Sequence, residues 1–96
     1  QTTTEFADKL CFKYQLKVRG LSGNGMQILP SVKDPDRGCK VACQDELLRH
    51  RFYFVNGEQG FYPFGTRCSS SENRYCVNGK CLVNISMVKF TLSTGK

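Results

Sequence analysis

We predict a small, disulfide-rich, mainly β domain in which an antiparallel sheet and hairpins are accompanied by at most one short helix. Three observations predict it: six cysteines in only 96 residues, an alternation of apolar and polar residues over 12–19, and an Asn-Gly dipeptide between two short apolar runs at 75–82. A dense, even set of cysteines is typical of small domains that are cross-linked in an oxidising compartment. The length fits one domain with a modest core.

The N-terminal part is predicted to be an arm followed by an amphipathic strand. Residues 1–8 are mostly polar, so we expect a flexible arm ahead of a single disulfide-stapled domain at 9–96. Over 12–19 every second residue is apolar, which predicts a half-buried strand. The polar face of this strand carries three cations, Lys13, Lys17 and Arg19.

The middle of the chain is predicted to contain a turn and two strands. The glycine-rich segment 20–25 predicts a turn, and MQIL at 26–29 predicts a return strand that ends at Pro30. Residues 39–51 are ambiguous, because their Gln, Asp, Glu and Leu residues also suit one or two helical turns. RFYFV at 51–55 predicts a strand.

The last third is predicted to end in a hairpin and a closing strand. Pro63 within the aromatic segment 61–65 indicates an edge or a loop rather than a central strand. At 75–82 the Asn-Gly pair suits a type I′ turn, which needs positive φ at both positions, and therefore predicts a hairpin. SMVKFTLS at 86–93 predicts the closing strand.

Nothing in the sequence predicts catalysis, a metal or a cofactor. His50 is the single histidine and lies between two arginines, so the chain offers no second imidazole for acid–base chemistry. The spacings Cys39-x3-Cys43 and Cys76-x4-Cys81 differ from the paired C-x2-C of zinc ribbons. We therefore expect that the protein is not an enzyme.

The net charge of +6 favours acidic partners, and glycosaminoglycans are among them. The basic residues are scattered without a dense run, so nucleic acid is not a predicted partner. No stretch approaches the roughly 20 apolar residues that cross a bilayer, so membrane insertion is not predicted either.

The cysteine content also predicts a secreted, extracellular protein. The chain starts at Gln1 rather than at a methionine, which we interpret as the start of a mature product. In that setting the triplet Asn84-Ile85-Ser86 makes Asn84 a candidate for N-glycosylation.

The residues alone leave the pairing of the cysteines open. Cys39 and Cys43 would lie about 13 Å apart in a strand, too far for a disulfide, but they would share a face in a helical turn. Cys76 and Cys81 would lie opposite each other across the predicted turn, within reach of a local bridge. Pairs that are distant in sequence would stabilise the fold more, because they remove more entropy from the unfolded chain.

The stretch 38–82 carries four motifs in order, GCKVAC, FYFVNGE, GTRC and YCVNGKCL, and it resembles a family of cysteine-rich proteins from tick saliva. The resemblance to basic-tail proteins of that family implies interference with host coagulation or complement. The same layout is similar to the class A evasins, which implies capture of chemokines. It is similar, more distantly, to the cysteine-rich region of disintegrin metalloproteases with thrombospondin motifs, which implies an isolated exosite.

The evasin resemblance also implies a disulfide pairing, and there are two departures from the families. The implied pairs are Cys11–Cys43, Cys39–Cys76 and Cys68–Cys81. Class A evasins carry a fourth disulfide that this chain lacks, and basic-tail proteins end in a lysine-rich tail where this chain ends in STGK.

We therefore expect a secreted salivary protein that inhibits a coagulation or complement component by binding it, with chemokine binding and an exosite function as the alternatives. Two surfaces are the candidate contacts. The first is the cationic face described above, extended by Arg49 and Arg51. The second is an exposed aromatic anchor, Phe61, Tyr62 and Phe64.

Overall fold

A computed structural model describes residues 2–83, and it shows one α-helix with two small antiparallel sheets. The helix α1 spans Thr3–Gln15, and the five strands are β1 (Leu21–Met26), β2 (Ala42–Asp45), β3 (Phe52–Phe54), β4 (Tyr75–Val77) and β5 (Lys80–Leu82). Two short 3-10 helices lie at Arg37–Cys39 and Glu58–Gly60. The first sheet has the order β1-β2-β3, and β4 pairs with β5. The predicted class, mainly β with a short helix, is confirmed.

Helix α1 replaces the predicted N-terminal arm and the predicted strand at 12–19, and both of those predictions are wrong. Thr2 is the N-cap: its hydroxyl accepts a hydrogen bond from the Glu5 amide at 3.1 Å, and the Glu5 carboxylate accepts one from the Thr2 amide at 3.0 Å. This capping box starts a helix that buries Ala7 and Cys11, four residues apart, on one face. The alternation at 12–19 therefore spans the last turn of a helix and the segment after it.

Strand β1 occupies the glycine-rich segment that was predicted to be a turn, and only Met26 of the predicted return strand belongs to it. Gly25 is not part of a turn; because it has no side chain, it lets α1 pack closely against β1. A Cβ on Gly25 would lie 2.6 Å from the Ala7 carbonyl oxygen and 2.7 Å from the Cys11 sulfur. The Gly25 amide also donates to Asp8 Oδ1 at 2.8 Å. Helix and strand are therefore in direct backbone contact.

Strands β2 and β3 form an antiparallel hairpin, so the helical turns considered for 39–51 are absent from most of that range. Ala42, Cys43 and Gln44 pair with Phe54, Tyr53 and Phe52, respectively. The strand predicted at 51–55 is confirmed in β3. Strand β2 has β1 on its other side, and it is therefore the central strand of the sheet.

The predicted hairpin at 75–82 is confirmed as β4 and β5. Its turn residues Asn78 and Gly79 have φ values of 53° and 83°, as a type I′ turn requires. A Cβ on Gly79 would lie 2.5 Å from the ring of Phe61, so the ring lies directly on the turn. Segment 61–65 forms no strand beyond an isolated bridge between Phe61 and Lys40, in agreement with the prediction of a loop or an edge.

Three disulfides join these elements in the pairing that the resemblance implied. They link residues 32, 37 and 13 positions apart, namely Cys11–Cys43, Cys39–Cys76 and Cys68–Cys81. The largest fully buried side chains are Val41 and four cysteines, so disulfides form most of the core. Cross-links that close long loops compensate for the small apolar core of a chain of this length.

Tyr62 is the large aromatic residue of this core, with 3% of its surface exposed. Its ring lies 5.6 Å from the ring of Phe6 on α1. Its hydroxyl is buried without a hydrogen-bond partner among the described residues. Burial, together with the carboxylate of Asp8, raises the pKa of Tyr62. Tyr62 is therefore a structural residue that connects the helix to the chain after β3.

Two sequence predictions lie outside the described residues: the closing strand at 86–93 and the glycosylation candidate Asn84. Within residues 2–83, no helix combines the length and the apolar character that a membrane span requires.

Candidate partner-binding groove

A groove with a volume of about 530 Å³ lies between the C-terminal end of α1 and the strand β3. Tyr14 and Val18 contribute one wall, Leu21 at the start of β1 contributes to the floor, and β3 contributes the other wall through Tyr53 and Phe54. Val18, Tyr53 and Phe54 are all partly exposed, so these apolar side chains are available to a partner. Exposed apolar side chains that line one concavity are typical of a binding surface.

One disulfide fixes the position of the two walls. Cys43 lies in the groove, and its partner Cys11 belongs to α1. The same Cys43 pairs with Tyr53 across the sheet. Because the helix is covalently attached to the strand next to β3, the groove keeps its width without help from a ligand. A pre-formed groove reduces the entropy that binding costs.

Strand β3 presents an open edge beside the groove. The Asp45 amide donates to the Arg51 carbonyl at 2.9 Å, and the Val55 amide donates to the Val41 carbonyl at 3.0 Å. Hydrogen-bonded pairs alternate with non-bonded pairs in an antiparallel ladder, so the amides and carbonyls of Phe52 and Phe54 point away from β2. These backbone groups have no hydrogen-bond partner within the described part of the chain. Outward backbone groups of this kind at a sheet edge can pair with an extended segment of another chain.

Asp45 holds the turn at one end of the groove in a fixed conformation. Its Oδ2 accepts hydrogen bonds from the amides of Leu47 and Leu48, each at 2.9 Å, and its Oδ1 accepts one from the Tyr53 hydroxyl at 2.9 Å. The amide of Leu48, then that of Leu47, and the Tyr53 hydroxyl lower the pKa of Asp45. The same contact raises the pKa of Tyr53. The Tyr53 ring is therefore fixed in orientation at the groove wall.

The five cations predicted as contacts come from different parts of the fold. Lys13 lies on α1 and Lys17 directly after it, so neither belongs to a strand face. Arg19 lines the groove. Arg49 lies in the exposed turn between β2 and β3, and Arg51 lies directly before β3. Arg19 therefore lines the groove itself, and Arg51 lies close enough to the groove residues Asp45 and Tyr53 to affect their pKa values.

The three residues of the predicted aromatic anchor lie in different environments. Tyr62 is buried in the core, so it lacks the exposure that an anchor requires. The Phe61 ring covers the hairpin turn at Gly79, and Phe64 is exposed in the loop that follows. Pro63 separates the two phenylalanines at the start of an irregular segment, which has no strand geometry to align them.

The sequence patterns did not identify Tyr14, Val18, Tyr53 and Phe54 as residues that line a groove. The strand at 51–55 was recognised, but its position at the sheet edge follows from the order β1-β2-β3, which is a property of the whole fold. The Thr-x-x-Glu signal at 2–5 would have indicated the helix that forms the opposite wall.

A cluster of three sulfurs elsewhere is the product of two neighbouring disulfides. Sulfurs of Cys39, Cys68 and Cys81 lie within 4.8 Å of one another. Each is bonded to another cysteine, and metal coordination needs a deprotonated thiolate. His50 lies in the exposed turn before β3 and makes no hydrogen bond within residues 2–83.

The described residues form a disulfide-stabilised, mainly β domain with one helix and an open strand edge beside a groove. Residues 4–86 match the family described as the Adt-1-like domain, and because this match covers most of the chain, the chain belongs to that family. No curated protein and no solved structure matches the sequence. The family match does not connect the chain to tick salivary proteins or evasins.

Proposed function

We propose that this chain is a secreted, non-catalytic domain that binds a segment of another protein in the groove beside β3. The observation that carries the proposal is an apolar groove at an open sheet edge. In such a site the outward amides and carbonyls of Phe52 and Phe54 bind the partner's backbone, while apolar side chains of the partner enter the groove. The three disulfides support an extracellular location for this activity.

The proposed target is a host coagulation or complement component, which the bound domain inhibits by covering part of its surface. The target class comes from the resemblance of 38–82 to the basic-tail proteins of tick saliva. The net charge of +6 supports an acidic target surface, and Arg19 contributes such a charge at the groove itself.

Two functional assays test the target class. Clotting times and complement lysis are measured in host plasma with the purified chain at micromolar concentration. We expect one of the two activities to fall with increasing dose. If both remain normal, the proposed target is wrong, and a positive result on a chemokine panel would favour the evasin-like alternative.

A matched pair of variants tests whether the groove carries the binding. Val18→Asp places a carboxylate in the groove wall, whereas Val32→Asp makes the same change at a fully exposed valine outside the groove. We expect Val18→Asp to weaken binding to the inhibited coagulation or complement component about tenfold or more, and Val32→Asp to leave it unchanged. Equal binding by both variants, with thermal unfolding curves that show both to be folded, would place the interface elsewhere.

A further inference from the structure

The side of α1 that faces away from the sheet carries two large apolar side chains in solvent. Phe12 is 58% exposed and Leu16 is 74% exposed. They lie four residues apart, so they are neighbours on the helix surface, on the side opposite to the buried Ala7. Neither lines the groove beside β3, so the function proposed for that groove does not account for them.

Three lysines run beside this apolar pair. Lys9, Lys13 and Lys17 follow one another at four-residue steps, and all three are exposed. At the helical rise Lys9 and Lys13 lie about 6 Å apart along the axis. Lys17 lies in the turn just beyond α1, two residues after Gln15, and its amide bonds to the Tyr14 carbonyl at 3.0 Å, so it stays next to the last helical turn.

Within residues 2–83, these lysines form no ion pair with a carboxylate. The one ion pair among residues 2–83 joins Arg74 to Glu72 in the second half of the chain. The two acidic residues of α1 are engaged elsewhere: Glu5 in the capping box, and Asp8 on the Gly25 amide. The three exposed lysines therefore present positive charge beside Phe12 and Leu16.

We infer that this outer face of α1 (Lys9, Phe12, Lys13, Leu16 and Lys17) is a peripheral docking site for an anionic lipid bilayer. A bilayer surface offers many anionic headgroups in one plane with apolar material directly below them. A convex helix face that has adjacent rows of lysine and large apolar side chains is complementary to both layers. A sulfated polysaccharide would use the lysines alone and leave Phe12 and Leu16 without a role.

The helix lies flat in this arrangement, with its backbone outside the hydrocarbon region. Phe12 and Leu16 enter the boundary between headgroups and acyl chains, while the long lysine side chains extend to the phosphates and carboxylates above. The opposite side of α1 stays in contact with β1, so docking needs no change in the fold.

Sedimentation with defined vesicles tests the inference. The purified chain is mixed with phosphatidylcholine vesicles that contain about 30% phosphatidylserine, or with phosphatidylcholine alone. We expect binding to the anionic vesicles only, and we expect it to decrease as salt screens the charges. Absence of binding to the anionic vesicles, or equal binding to both kinds, would overturn the inference.

Two matched pairs of variants locate the site. Lys13→Gln and Lys33→Gln remove the same charge from exposed positions, but only Lys13 lies on the outer face. We expect Lys13→Gln to weaken binding roughly fivefold and Lys33→Gln to have a much smaller effect. Equal losses would show that net charge alone drives adsorption, and this would refute a specific site.

Leu16→Ser and Leu29→Ser form the second pair of variants and test the apolar contact. Leu29 is the control, because it is 62% exposed but lies in the loop after β1 rather than on the outer face of α1. We expect only Leu16→Ser to weaken vesicle binding. If both serine variants bind the anionic vesicles as strongly as the wild type, the apolar contact is refuted. If the chain binds heparin but not the vesicles, the lysines bind a polysaccharide instead. Because both leucines are mostly exposed, thermal unfolding of each variant should match the wild type.

Discussion

Replacement of Gly25 by alanine tests the contact that positions α1 on the sheet. The new Cβ would lie 2.6 Å from the Ala7 carbonyl oxygen and 2.7 Å from the Cys11 sulfur, well inside van der Waals contact. Neither atom moves easily: the first is helix backbone, and the second is bonded to Cys43, which pairs with Gly25 itself. The helix and strand must therefore separate against a covalent link.

The cost of this separation can be estimated from similar overpacked sites. Inserting a methyl group into a filled contact costs about 1–3 kcal/mol. Gly→Ala also reduces the entropy of the unfolded chain, which returns about 0.4–1 kcal/mol. We expect a net destabilisation of about 1–2 kcal/mol, or a fall in melting temperature of roughly 4–15 °C for a domain of this size.

Thermal and urea unfolding of Gly25→Ala, followed by circular dichroism, measures this change. Gly20→Ala is the control, because a Cβ there meets nothing within 4 Å and its cost arises only from the positive φ of 94°. An unchanged or increased stability of Gly25→Ala would refute the reasoning, since that is the behaviour of an unobstructed glycine. The position of α1 against β1 would then be wrong.

Three further substitutions test separate features of the fold. Tyr62→Phe removes a buried hydroxyl that has no partner, so we expect stability in urea to be unchanged or higher by about 1 kcal/mol; a clear loss would reveal a hydrogen bond. Asp45→Asn tests a carboxyl group whose pKa is lowered by folding. Such a group stabilises the fold above its ordinary value of 3.8 and loses this effect as pH falls below it, so the variant should show a shallower loss of stability in acid than the wild type. Thr2→Ala removes the helix cap and should cost about 1 kcal/mol in thermal unfolding, whereas Thr4→Ala, on the exposed first turn, should cost little.

Features specified by a few adjacent residues were predictable from the sequence. The hairpin at 75–82 depends on an Asn-Gly pair that accepts positive φ twice, and the structure has that turn. The disulfide pairing came from resemblance and not from the residues themselves, because the spacings alone also allowed local bridges. Its confirmation shows that the order of the cysteine motifs carried the information.

Features decided by distant contacts were not predictable. The alternation at 12–19 suits a strand, but Ala7 and Cys11 bury one helical face against β1, and this contact outweighs the local pattern. The glycines of β1 suggested a turn, because nothing local reveals that a helix backbone lies against Gly25. At 39–51, pairing of β2 on both sides outweighs the helical preference of its last residues.

The groove depends on the same distant contacts. Its walls come from the end of α1 and from an edge strand that follows about 35 residues later, and a disulfide joins the helix to the strand between them. The aromatic segment 61–65 was the more conspicuous candidate, but Tyr62 is needed in the core. The position of β3 at the sheet edge gives the groove its unpaired backbone groups. This position is set by the strand order and cannot be predicted from the three residues of β3 alone.

The pairing of the six cysteines is the central claim, and non-reducing peptide mapping tests it directly. Tryptic sites separate every cysteine from the next, so each falls in its own peptide, and the chain is denatured and digested at mildly acidic pH to suppress thiol–disulfide exchange. Mass spectrometry should find three linked pairs, LCFK with VACQDELLR, GCK with YCVNGK, and CSSSENR with CLVNISMVK. Any other combination, or a cysteine that reacts with an alkylating agent before reduction, would contradict the framework that holds α1 beside β3.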